Sequence, residues 1–209
     1  MTGGLIAMPE IITSTALGAG GRPPASERIV MGTIGFGGRA SSVMPAFMRE
    51  DDVQMVAVCD VKGNRRKLAQ DTVNRHYGTT DCDAYIDLRE LLARDDIDAV
   101  LIATPDHWHA IPFIYACEAG KDVFVEKPLS HNIIEGRAMV NAARKHQSVV
   151  QVGTWQRSTQ HFQDAIDFVR SGQLGTISIC RAWRARNSEG IGCMPPKNPP
   201  DGLDWDFWL

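Results

Sequence analysis

Residues 28–60 read RIVMGTIGFGGRASSVMPAFMREDDVQMVAVCD, and the order of events within them decides the fold. An apolar run, Ile29-Val30-Met31 and then Ile34, leads into Gly35-Phe36-Gly37-Gly38-Arg39-Ala40. A helix-like segment follows, and a second apolar run, Val53–Cys59, ends on Asp60. Strand, glycine turn, helix, strand and acid make the dinucleotide-binding βαβ unit in its G-x-G-x-x-A form. Gly35 permits the tight turn, Gly37 has no Cβ to keep a pyrophosphate off the backbone, and Ala40 is small enough for close helix–strand packing. The helix then presents free N–H groups and its positive dipole end to the phosphates. Asp60 lies 25 residues beyond Gly35, near the spacing expected of a carboxylate accepting from the adenosine ribose hydroxyls. A glycine turn alone is also a common packing device; the apolar strand on each side and the terminal acid favour a nucleotide site.

The same alternation continues outward. Lys62–Tyr77 is polar with sparse apolar points (Leu68, Val73, Tyr77), as a surface helix is. Arg65, Arg66 and Lys67 near its start are either receptors for a 2′-phosphate or, the favoured reading, a solvated face. Asp60 argues for NAD over NADP, because its charge repels that phosphate. Asp87-Leu88-Arg89-Glu90 has the form of a capping box ahead of Leu91-Leu92. Residues 98–104 are nearly continuous in apolar side chains, as a buried parallel strand is. A helix over 107–119 follows, with Ile111, Ile114 and Tyr115 at helical spacing, and stops at Gly120. The strand Asp122–Val125 ends in Glu126-Lys127-Pro128. Ser130 is placed to cap a helix whose face is Ile134, Ala138 and Ala142, and residues 149–152 form one more strand. Alternating strands and helices over 28–153 specify an α/β fold with a doubly wound parallel sheet, a Rossmann domain. In such sheets ligands bind outside the carboxyl ends of the strands. The glycines, Asp60, the stretch Thr104-Pro105-Asp106-His107-Trp108-His109 and Glu126-Lys127-Pro128 all fall there.

The flanks differ. Residues 1–27 carry a moderately apolar stretch broken by Pro9 and Glu10 and then a Gly/Pro-rich run. They are expected to be a disordered leader or the remnant of an export signal, although no basic n-region or twin arginine is present. The chain as it stands reads as cytoplasmic, with periplasmic export the alternative. Beyond Val152, Trp155-Gln156-Arg157 leads into a helix with Phe162, Ile166 and Val169 on one face. Residues 177–184 alternate like a half-exposed strand of another sheet. Residues 154–209 thus read as the incomplete start of a second, substrate-binding and oligomerising α/β domain.

Composition narrows the function classes. The 209 residues are 44% hydrophobic and 22% charged with a net charge of −3, an ordinary globular balance that offers no electrostatic footprint for nucleic acid or acidic membranes. The five cysteines are odd in number and without C-x-x-C spacing, so neither a disulfide framework nor a zinc site is indicated. Two histidines, His107 and His109, flank Trp108, but two imidazoles without a third ligand do not make a metal site. Trp108 and His109 either wall a cofactor pocket or cap and pack the helix behind it. Lys127, after a buried strand and before a proline, is either a surface lysine paired with Glu126 or an ammonium held beside a nicotinamide. In the second case it would hydrogen-bond a substrate hydroxyl and ease its proton away.

The glycine turn, Asp60, A-T-P-D-H-W-H at 103–109, E-A-G-K-D-V-F-V-E-K-P-L-S at 118–130, G-T-W-Q-R at 153–157 and the closing D-W-D-F-W-L together resemble the Gfo/Idh/MocA oxidoreductases over about residues 28–209. The resemblance implies an N-terminal Rossmann domain, bound NAD or NADP, oxidation or reduction of sugar- or cyclitol-like hydroxyls, and homo-oligomers at full length. It also implies roles. Gly35, Phe36, Gly37, Gly38, Arg39 and Ala40 would hold the pyrophosphate and Asp60 the ribose. Thr104, Pro105, Trp108 and His109 would line the nicotinamide side. Glu126 and Lys127 would form the E-K-P pair, across a cis Lys127–Pro128 bond, with Lys127 catalytic. Arg157 would face the substrate. The acid–base histidine that the family carries in its second domain has no counterpart here. An NAD-retaining glycosidase of related architecture and a non-catalytic nucleotide-binding module are the alternative readings.

Overall fold

A computed structural model describes residues 14, 16–183, 192, 193 and 195–209. One compact unit comprises the chain up to Val152 together with Gly202–Leu209, and a second comprises Gly153–Asp201.

The first unit is built on a parallel sheet of six strands. These are β1 (Ile29–Ile34), β2 (Val53–Cys59), β3 (Asp83–Tyr85), β4 (Ala99–Ile102), β5 (Asp122–Val125) and β6 (Val150–Val152), in the order β3-β2-β1-β4-β5-β6. The order reverses between β1 and β4, so the crevice where such sheets bind ligands opens at their carboxyl ends. On one face α1 (Ala40–Met48) and α2 (Gly63–Tyr77) bury Met44, Met48, Ala69 and Val73 against Met31, Met55 and Leu101. On the other, α3 (Leu88–Leu92), α4 (Ala110–Glu118) and α5 (Ile133–His146) bury Leu91, Phe113 and Met139 against Ile34, Val100 and Val125. A bulge lets β2 serve both faces. Met31 pairs with Met55 but Gly32 pairs with Ala57, so Val56 is the extra residue. It inverts the side-chain phase, leaving Val53 and Met55 in one core and Ala57 and Cys59 in the other.

Several local expectations shift. The three-residue edge strand β3 has no apolar run to announce it. Residues 106–108 form a separate 3-10 turn, and α4 buries Ala110, Phe113, Ala116 and Cys117 while Ile111 and Tyr115 are exposed. Phe113 and the small residues beside it let α4 approach the sheet more closely than the branched face would. In α5 the cap is Asn132, whose side chain accepts from the Glu135 amide. Ser130 instead donates to the Asn132 carbonyl. Met139 and Ala142 are buried there, whereas Ile134 is 83% exposed. Segment 16–27 is tied down at Arg22, which donates to the carbonyls of Asp51 and Val53 and lies over the Tyr77 ring; residues 1–13 and 15 of the expected leader lie outside the described residues.

The second unit holds a 3-10 turn at Trp155–Ser158 and α6 (Gln160–Arg170). Phe162, Ile166 and Val169 form the expected apolar stripe, but α6 buries none of its residues. The expected strand is absent over 177–183, and Arg184 lies outside the described residues. A strand needs a partner's N–H and C=O groups, and the described part of this unit contains no other strand to supply them. Gly202–Leu209, read from the sequence as part of this unit, groups instead with the first. Its backbone hydrogen-bonds to the start of α2, and it carries α7 (Trp205–Trp208). Among the described residues no helix is long and apolar enough to cross a membrane, and no group of three His, Cys, Asp or Glu side chains is placed to hold a metal ion.

Candidate cofactor site

Four loops meet at the carboxyl edge of the sheet. The first is the turn after β1. Gly35 has φ +85°, and a Cβ there would stand 2.9 Å from the backbone of Thr104, so conformation and close approach both require glycine. Positions 37 and 38 are the reverse: among the described residues, no atom beyond the adjoining ones lies within 4 Å of where a Cβ would be. Among the described residues no acceptor takes the amide N–H of Gly37, Gly38 or Arg39. Free donors, open space and the N-terminus of α1 together form a cradle that fits a diphosphate. Ala40 is buried, which seats α1 against the sheet, and the Phe36 side chain is buried too, so Phe36 offers the site only its backbone.

The second loop begins at Asp60. Its Oδ2 accepts from the Phe36 amide at 2.7 Å and its Oδ1 from the Lys62 amide at 2.8 Å, so the acid braces the glycine turn as well as marking the end of β2. Arg66 Nη1 donates to the Asp60 carbonyl at 2.6 Å, and Lys67 pairs with Asp71 at 2.9 Å. Burial, and then the neighbouring Asp60 carboxylate, push the Cys59 thiol up to about 12, which removes it as a nucleophile.

The third and fourth loops are joined by His109. The residue is 1% exposed; its Nδ1 lies 2.5 Å from the Pro128 carbonyl oxygen and its Nε2 3.0 Å from that of Thr104. It therefore staples the turn after β4 to the turn after β5, from behind the wall that the sequence reading assigned to it. A neutral ring can donate to one of these oxygens, an imidazolium to both. Thr104 Oγ1 donates to the Trp108 carbonyl at 3.1 Å and closes the 3-10 turn, with Pro105 exposed at its start. In the fourth loop Glu126 is 2% exposed, Lys127 is exposed, and the Lys127–Pro128 bond is cis. Glu126 Oε2 accepts from the Lys127 amide at 3.2 Å. Its Oε1 lies 2.8 Å from Arg39 Nε, but the N–H is not directed at it, so this contact is an ion pair rather than a hydrogen bond. The pair ties the glycine turn to the lysine turn, a link visible in sequence only as a lone arginine and a lone acid at two strand ends.

Thus Gly35 to Ala40, Asp60, Thr104, Trp108, Glu126 and Lys127 share one edge. Arg157, exposed on the 3-10 turn at 155–158, belongs to the second unit, where its carbonyl accepts from the Gln163 side chain. Trp208 was missed: its carbonyl accepts from Trp108 Nε1 at 2.7 Å, and its ring packs edge-on to His107 at 5.3 Å.

Comparison with known proteins agrees with this geometry. Residues 29–154 match the family described as "Oxidoreductase family, NAD-binding Rossmann fold" (Gfo/Idh/MocA). The chain is 33% identical over 156 residues to the uncharacterized oxidoreductase YrbE of Bacillus subtilis (strain 168), covering 75% of this chain and 44% of that protein. It is 36% identical over 137 residues to the glycosyl hydrolase family 109 protein 1 of Shewanella sp. (strain ANA-3), covering 59% and 28%. Among solved structures, myo-inositol 2-dehydrogenase from Lactobacillus plantarum superposes with a TM-score of 0.64 at 26% identity, over 72% of this chain and 43% of that one. The chain spans less than half the length of each of these relatives. The chain belongs to the Gfo/Idh/MocA oxidoreductase family, and its first unit is an NAD-binding Rossmann domain.

Proposed function

We propose, from the premise of that membership, that the chain is the cofactor-binding portion of an NAD(P)-dependent oxidoreductase, NAD being favoured by Asp60, acting on a sugar- or cyclitol-like hydroxyl. The observation that carries the reading is the meeting at one sheet edge of an open glycine cradle, a ribose-side carboxylate and an exposed lysine. When bound, the nicotinamide accepts or returns a hydride at the substrate carbon. The chain's own residues set that event up. The free amides of Gly37, Gly38 and Arg39 hold the diphosphate. Asp60 keeps the turn closed and offers its remaining lone pairs to the ribose. Trp108 and Thr104 wall the nicotinamide side, His109 fixes the lysine turn from behind, and the Lys127 ammonium donates to the substrate oxygen and eases its proton away. Arg157 faces the substrate, and the full-length protein forms a homo-oligomer.

The test separates binding from chemistry. In the full-length protein, Lys127→Ala should leave NAD affinity within about threefold of wild type while lowering turnover by about 10²-fold or more, the scale of a lost proton-transfer group. Asp60→Ala should weaken NAD binding by about tenfold or more. Equal loss of binding in both would contradict the assigned roles. The similarity to a glycosyl hydrolase family 109 protein supports a second reading, in which NAD is retained while a glycosidic bond is cleaved by transient oxidation and elimination. Glycoside cleavage with stoichiometric bound NAD and no turnover of free NAD would favour it.

A further inference from the structure

We propose that the segment Gly202–Leu209 occupies the place a 2′-phosphate would need, and so makes the dinucleotide site selective for NAD over NADP. The proposal rests on the cofactor reading above and adds a determinant to Asp60. In a βαβ site the phosphate of NADP extends from the ribose toward the first turn of the helix after the second strand, where backbone N–H groups and basic side chains receive it. Here that turn is the start of α2, and its nearest donors are engaged. The Lys62 amide donates to Asp60 Oδ1 at 2.8 Å, and the Gly63 amide donates to the Gly202 carbonyl at 2.9 Å. Arg66 Nη1 is held on the Asp60 carbonyl at 2.6 Å, leaving Arg65 exposed beside the turn.

The tail is fastened along its length. Leu203 forms an antiparallel bridge with Lys62, and the Asp204 amide donates to the Val61 carbonyl at 3.3 Å. The Asp204 side chain caps α7 by accepting from the Phe207 amide at 3.1 Å. At the far end the Trp208 carbonyl accepts from Trp108 Nε1 at 2.7 Å. The tail is therefore fastened at one end beside the end of β2 and at the other on the turn after β4. The Gly202 carbonyl presents an acceptor where a phosphate oxygen, another acceptor, would have to sit. Asp204 and Asp206 add like charge within the same segment.

The test loosens the tail and keeps Asp60 in every protein compared. Gly202 has φ +74°, so Gly202→Val strains the turn that presents its carbonyl, and Asp204→Ala removes the cap of α7. Affinities for NADH and NADPH, and for AMP and adenosine 2′,5′-bisphosphate as probes of the adenosine end alone, are measured by calorimetry on wild type, the double variant and, separately, Trp108→Phe. Circular dichroism confirms folding, and Trp108→Phe, which puts a smaller aromatic ring in place of the indole and removes its Nε1 donor, serves if the double variant does not fold. Wild type should prefer NADH, and the double variant should narrow the NADH/NADPH ratio by about tenfold through tighter NADPH and bisphosphate binding, with Trp108→Phe moving it the same way by less. An unchanged ratio in folded variants, or a wild type indifferent to the 2′-phosphate, overturns the proposal while leaving the cofactor reading intact. Failure of wild type to bind any of the dinucleotides overturns both.

Discussion

Phe113 on α4 and Phe162 on α6 are the same side chain on two amphipathic helices, yet Phe113 is 1% exposed and Phe162 41%. The first sits in a unit whose six strands and flanking helices cover each other. The second sits in a unit where a helix has no buried residue. An apolar stripe states what a helix can bury; whether it does so depends on a covering surface. The contrast separates what patterning encodes from what packing adds.

The largest test of that difference is truncation of the two rings. Phe113→Ala should cost about 3–5 kcal/mol of unfolding free energy, and Phe162→Ala less than about 1 kcal/mol, read from denaturant midpoints of the two variants. Comparable losses would mean that the two helices are equally packed. Next come two glycines with positive φ. Gly35→Ala adds a clash with the Thr104 backbone to its conformational strain, whereas Gly172, φ +81°, has nothing within 4 Å. The first should cost about 2–3 kcal/mol and impair NADH binding, the second about 1 kcal/mol without affecting binding. Smallest is the pair of helix caps. Asp87 accepts from the Arg89 amide, while Thr159 makes no capping bond on α6. Asp87→Ala should therefore cost about 1 kcal/mol and Thr159→Ala less than about half that. The hydrogen bond from the Arg89 side chain holds the Asp87 carboxyl below its usual range. A depressed folded-state value means its contribution is present above the unfolded carboxylate range and is lost as pH falls through the folded value, so the Asp87→Ala deficit should shrink in acid.

Where packing was dictated by continuous apolar runs, the sequence was enough. β2 and β5 fall where Val53–Cys59 and Asp122–Val125 place them, because a strand covered on both faces must be apolar almost throughout. Where several apolar residues compete for one face, period alone does not choose. On α4 small residues beside Phe113 won over Ile111 and Tyr115, and on α5 Met139 won over Ile134. β3 escaped notice because an edge strand of three residues needs only backbone pairing. The site divides similarly. The glycines, the β2 acid and the E-K-P turn are motif residues at strand ends, but the Asp60 bond to the Phe36 amide, the Arg39–Glu126 pair and the His109 bond to the Pro128 carbonyl join residues 19 to 87 positions apart and exist only once the sheet has formed. The Trp208 contact spans 100 residues and lay in a segment that the sequence placed in the other unit.

The central claim is that a nicotinamide dinucleotide lies along the carboxyl edge of the sheet, over the glycine cradle. Backbone amide NMR of the isotope-labelled protein titrated with NADH tests it most directly. Saturable shifts should appear at Gly35 to Ala40, Asp60 and Thr104 to Trp108, with α6 unmoved. An absence of shifts in folded protein, or shifts confined to residues away from that edge, would contradict the account.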